Sequence, residues 1–169
     1  SHAPRRNQAA RMLIDAFLPE GITQLSVDSI FMMPQLGVLA SIHEKAAVEV
    51  FNKDCLIRLG TCIAPFGSTK DSSSMLDYEI QLSDELIKGQ LKFGEIKLIK
   101  CSYKPFKCSL NTSNNLKINN KTEFKGDIYG GEIGILLDGR GRPFELNIDM
   151  PNRIKSIQNW SQTTNEYPN

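Results

Sequence analysis

Between Ala10 and Leu18 the apolar residues Ala10, Leu13, Ile14, Phe17 and Leu18 recur at spacings of three and four. That is the period of a helix with one buried face. It predicts a first helix that begins after Pro4 and is ended by Pro19-Glu20-Gly21. A second helix is predicted from Pro34, because proline is accommodated in a first turn. Its apolar side is Leu36, Leu39, Ala40, Ala46, Ala47, Val50 and Phe51, with Gly37 as a weak point near the start. The stretch between the helices, LSVDSIFMMP, reads as a short strand or a buried connector.

From Asp54 the period changes. CLIRLGTCIAP is too apolar for simple alternation and reads as a buried strand, whereas LDYEIQL alternates. LKFGEIKLIKC predicts a strand with Gly94 as a bulge, and FKCSLNT another after Pro105. NTSNNLKINNK reads as a solvated loop or edge hairpin, and EFKGDIY, EIGILLD and PFELNI as further strands. PNRIKSIQNW then presents Ile154, Ile157 and Trp160 at helical spacing. The polar run STKDSSS is the best internal boundary, dividing a helical and connector region over 4–67 from a β-rich region over 75–169. One continuous domain is the alternative. The expected class is α+β: N-terminal helices packed against a β-rich C-terminal domain, a compact sheet or small barrel, with a C-terminal helix.

Composition narrows the function classes. A net charge of +1 sets up no field that would gather nucleic acid or an acidic membrane. No apolar run approaches the roughly 20 residues of a spanning helix, and the N-terminus does not read as a secretion signal. Ser1-His2-Ala3 reads as a cloning scar, and the absence of an initiator Met is expected of an excised fragment. Cys55, Cys62, Cys101 and Cys108 form two C-x6-C pairs, wider than the tight turns of zinc sites. They read as reduced, small apolar residues of a cytoplasmic protein. The sequons at Asn111, Asn120 and Asn159 carry little weight without a secretion signal.

Candidate chemistry is sparse. Asp138-Gly139-Arg140-Gly141-Arg142-Pro143 lies between two strand-like segments. Its glycines and two guanidiniums fit an anion cradle or a partner-reading surface. A phosphate loop normally feeds a helix N-terminus; here the chain runs on into another apolar stretch, so the reading is a hairpin tip first. GTCIAPFGSTK places Ser68 and Thr69 before Lys70, the reverse of a Walker loop, and no Rossmann glycine pattern occurs. His43 lies in a predicted helix far from every cysteine, and the aspartates are scattered. A thiol-dependent enzyme using Cys55, Cys62 or His43 is therefore a rival reading without a motif. A second rival is a ligand- or nucleic-acid-binding module built on EIKLIKCSYKPFK, where Lys97, Lys100, Lys104 and Lys107 flank Tyr103 and Phe106. Lysines on an edge strand equally guard against aggregation, so nucleic acid is not an expected partner.

LSVDSIFMMPQLGVLASIHEKAAVEVF, CLIRLGTCIAPFG and GGEIGILLDGRGRPFEL, followed by NW and YP, resemble the C-terminal part of the glutamate mutase accessory family, MutL, which is unrelated to the mismatch-repair protein of that name. The resemblance runs over most of residues 9 to 168 and is firmest at 130 to 146. It implies an upstream actin/Hsp70-like ATPase region that binds ATP, and service to an adenosylcobalamin-dependent mutase or aminomutase by reactivation. The acidic, glycine-rich phosphate loops of such an ATPase have no counterpart here. The resemblance thus implies a non-catalytic tail, without cofactor of its own, that completes the ATPase fold or meets the mutase. Arg140, Arg142 and the lysine-rich strand are the expected contacts.

Overall fold

The computed structural model describes residues 5–68, 74–113 and 115–167. It is a mixed α+β fold in three layers, without a closed barrel. The first helix, α1, spans Arg6–Phe17, and the strand β1 spans Gly21–Asp28. α2 follows over Met33–Val50 and continues into a π-helical turn, Phe51–Cys55. The strands are β2 Leu56–Ala64, β3 Phe66–Gly67, β4 Ser74–Gln81, β5 Leu86–Lys92, β6 Ile96–Ile99, β7 Pro105–Thr112, β8 Leu116–Lys117, β9 Glu123–Tyr129 and β10 Gly134–Asp138. The last helix, α3, spans Met150–Thr163.

One four-stranded sheet has the order β1-β2-β10-β6 and another the order β5-β4-β7-β9, with a two-stranded ribbon of β3 and β8. Strands from both sides of the polar run at 68–74 therefore meet in one sheet. Residues 69–73 of that run lie outside the described residues. β4 keeps the predicted alternation: Leu76, Tyr78 and Ile80 point inward, and Asp77, Glu79 and Gln81 outward. Its inner face packs with Phe106 and Leu110 of β7 against Ile63 of β2 and Ile135 and Leu137 of β10. The opposite face of the first sheet (Leu25, Leu59, Cys62, Leu136) is covered by Ala10 and Ile14 of α1 and Trp160 of α3. A layer covered on both sides needs continuous apolar strands. That is why β10 is buried at all five positions and why β2 reads as an apolar run.

β10 runs parallel to β2 and antiparallel to β6. β2 and β10 meet at Gly60 and Gly134; a Cβ on Gly60, whose φ is +144°, would lie 1.8 Å from the Gly134 carbonyl oxygen. Only glycine fits that approach.

Three predicted elements differ. LKFGEIKLIKC is two strands in different sheets, because the chain turns at Phe93-Gly94 instead of bulging. PFELNI forms no strand: Phe144 folds back onto Trp160, with ring centroids 5.9 Å apart. In α3 the helix exists, but Ile154 and Ile157 are exposed. Trp160 sets its rotation, donating from Nε1 to the Gly94 carbonyl at 2.6 Å. The inward positions are consequently Arg153, Ser156 and Trp160. No helix among the described residues is long and apolar enough to cross a membrane.

Candidate functional site

The predicted hairpin at 138–143 is not formed. Asp138 ends the central strand β10, and the chain leaves the sheet in turns. Asp138, Arg140 and Arg142 are 0%, 2% and 4% exposed, so neither guanidinium is a surface contact. The physical reason is internal charge compensation. Asp138 accepts from Arg140 Nε at 2.9 Å, from a terminal nitrogen of Arg140 at 2.8 Å and from one of Arg142 at 2.8 Å. Arg140 also donates to Asp15 of α1 at 2.6 Å, and Arg142 to the Pro19 and Gly141 carbonyls. The Arg140 guanidinium lies 4.7 Å from the Phe144 ring centroid and 5.2 Å from that of Trp160.

Burial opposes ionisation of Asp138, but the two guanidiniums hold its carboxyl below the ordinary range. Burial likewise opposes the charge on Arg140, and Asp138 and Asp15 outweigh it. Part of the backbone of the expected cradle is spent as well. Gly139 N–H donates to the Glu95 carbonyl at 2.8 Å, and Arg140 N–H to Asp138 at 3.1 Å. A Cβ on Gly139 would meet the Lys92 carbonyl oxygen at 2.5 Å, so this glycine serves close packing. The five predicted site residues, Asp138, Gly139, Arg140, Gly141 and Arg142, do gather in space. What they form is a buried clamp that ties α1, α3 and β10 together.

The other predicted chemistry is dispersed. Burial pushes the thiols of Cys62 and Cys108 up to about 12, with Asp138 adding to the effect at Cys62. Burial also raises Cys55 and Cys101. Thiols held protonated are poor nucleophiles. His43 sits at a kink in α2 (φ −147°, ψ 77°), where its Nδ1 accepts the Ala46 N–H at 3.3 Å and caps the second half of the helix. Among the described residues no group of three or more His, Cys, Asp or Glu is placed to hold a metal. The lysines of 97–107 are split between β6, a loop and β7. Lys97 lies 5.8 Å from the Tyr78 ring centroid, Lys104 donates to Ser83, and Phe106 is buried.

A cleft of about 880 Å³ opens beside β2 and β6 and is lined by Arg58, Lys100, Cys101, Tyr103 and Glu132 among others. Arg58 is partly engaged, donating to the Asn52 carbonyl at 3.2 Å and lying 5.0 Å from the Tyr103 ring centroid. The Gly131, Glu132 and Ile133 N–H groups are all bonded to backbone carbonyls, which leaves no amide nest for an anion.

Two apolar surfaces are what the sequence reading missed. α2 buries Leu36 and Ala47, which pack with Cys55, Met32, Ala40 and Phe51 in a cluster of their own. Leu39 and Val50, expected on its buried side, are exposed. α2 is thus an arm folded mainly on itself about His43, its base held by Asp28, which accepts from the Ile30 and Met33 N–H groups at 3.1 and 3.0 Å. Leu146, Ile148, Met150, Ile154 and Ile157 form a second strip, in which Ile148 is 97% exposed. The available signal was, in α2, the excess of apolar residues over what one helix face holds.

No family model, curated protein or solved structure matches the chain.

Proposed function

We propose that this chain is a non-catalytic C-terminal module of an accessory protein that reactivates an adenosylcobalamin-dependent mutase or aminomutase in the cytoplasm. ATP is bound by an upstream region of the parent protein, and this module works by protein–protein contact. The reading rests on the MutL resemblance. The observation that carries the contact is the strip from Leu146 to Ile157, five large apolar side chains left exposed. Asp149 and Lys155, both exposed, are interleaved with them. An apolar centre with a charged rim is the make-up of a reversible interface between different proteins.

The test is capture of a purified adenosylcobalamin mutase by the tagged chain and by an Ile154→Glu/Ile157→Glu variant. Both positions are exposed, so the variant keeps its fold, and capture falls at least about tenfold. Equal capture by a folded variant removes the strip from the interface, and no capture by the wild type removes the accessory reading. A small-molecule site is the second reading, favoured by the cleft at Arg58, Lys100 and Tyr103. Its mark is ligand-dependent thermal stabilisation lost in Arg58→Ala.

A further inference from the structure

We infer that the α2 arm is the contact between two copies of this chain, on a surface separate from the proposed mutase strip. Val38, Leu39 and Ile42 follow Gln35 at three, four and seven residues, the repeat of a single helix face. All four are exposed, and Ile42 is 84% so. Val38 and Ile42 lie opposite Leu36 and Ala40, which face the arm's own cluster, and Leu39 stands at the border. A helix with apolar stripes on opposite sides packs on two sides. The described residues fill one of them.

The composition of the open side selects the occupant. From Ile30 to Ile42 there is no Asp, Glu, Lys or Arg. Contacts between proteins that also live apart are about as polar as the rest of the surface, whereas permanent homodimer contacts are markedly more apolar. The strip at 146–157 is of the first kind and the arm of the second. Its size fits too. On the open face Val38, Leu39 and Ile42 are exposed, and Ile30 and Phe31 are exposed just before the helix. At on the order of 100 Å² each they give roughly 500 Å² per partner, about 1,000 Å² over two copies, the least that a specific interface buries.

A two-fold axis makes such a face self-complementary: in an antiparallel pair Val38 of one copy meets Ile42 of the other, and Ile42 meets Val38. Phe31 adds a second sign of a missing neighbour. It takes a left-handed φ of 56° with its ring exposed, a conformation that costs free energy and that a packed interface offsets.

Sedimentation equilibrium over a concentration series tests the inference on wild type, Ile42→Glu and Val38→Ala/Ile42→Ala. The expected result is wild type at twice the 18.9 kDa chain mass and Ile42→Glu at the single mass, with unchanged far-UV circular dichroism. The alanine pair, which adds no charge, weakens the dimer about tenfold or more. A wild type that stays at 18.9 kDa up to roughly 100 μM, where any contact of useful affinity is formed, overturns the inference. So does a dimer that survives Ile42→Glu. If the wild type is monomeric and Ile42→Glu abolishes mutase capture, the arm is a mutase contact: the dimer is refuted and the accessory reading stands.

Discussion

Asp138→Asn is the substitution whose consequence can be worked furthest. The carboxylate is fully buried and is the shared acceptor of Arg140 and Arg142. Asparagine keeps the shape but removes the charge and sets an NH2 group against guanidinium donors. Arg140 retains Asp15 at 2.6 Å, while Arg142 retains only backbone carbonyls. Removing one partner from a buried ion pair costs about 3–5 kcal/mol. That is a large share of the roughly 5–15 kcal/mol that holds a domain together. For a chain of this length it lowers Tm by roughly 10 °C. Urea unfolding followed by tryptophan fluorescence is the assay, since the single tryptophan, Trp160, lies against Arg140. A loss below about 0.5 kcal/mol, the range of ordinary surface substitutions, refutes the clamp.

The same group sets an acid limit. Its folded pKa is depressed, so its stabilisation is complete above the unfolded value of about 3.9 and is lost as pH falls through the lower folded value. Between those two values the unfolded state binds the extra proton. The wild type therefore loses stability there more steeply than Asp138→Asn does.

Trp160→Phe keeps a ring against Phe144 but loses the bond to the Gly94 carbonyl, costing about 1–2 kcal/mol in urea unfolding followed by far-UV circular dichroism. A cost near zero would show that α3 is held by area alone. Gly60→Ala drives a methyl group into the Gly134 carbonyl and is expected to cost more than about 3 kcal/mol, read as a lost or strongly lowered thermal transition. Native-like melting of that variant contradicts the close β2–β10 approach. Cys62 and Cys108, with thiols pushed up to about 12, should react with a thiol reagent at neutral pH only once urea unfolds the chain. Fast labelling of either in the folded protein argues against their burial.

Most elements were legible because each rests on a local period. α1, β4, β7, β9 and β10 lie where the sequence pattern puts them, and the length of its apolar run marks β2 as a buried strand. The boundary errors have local causes as well. Gly94 fits a bulge and a turn equally well, and only pairing partners decide that β5 and β6 belong to different sheets.

The composition of the candidate site could be read in the chain, but its fate could not. Arg140 and Arg142 beside glycines look available until Asp15, 125 positions from Arg140, comes into reach and Asp138 is enclosed. Charge compensation is a property of the folded neighbourhood. The helices teach the same limit from the apolar side. By itself the sequence determined that α2 and α3 are helices with apolar faces, and that α2 carries more apolar residues than one face holds. Only the tertiary structure decided which residues turn inward, through Trp160 for α3 and the Leu36–Ala47 cluster for α2. A period records that a face avoids water, whereas the neighbour that covers it is set by residues far away along the chain.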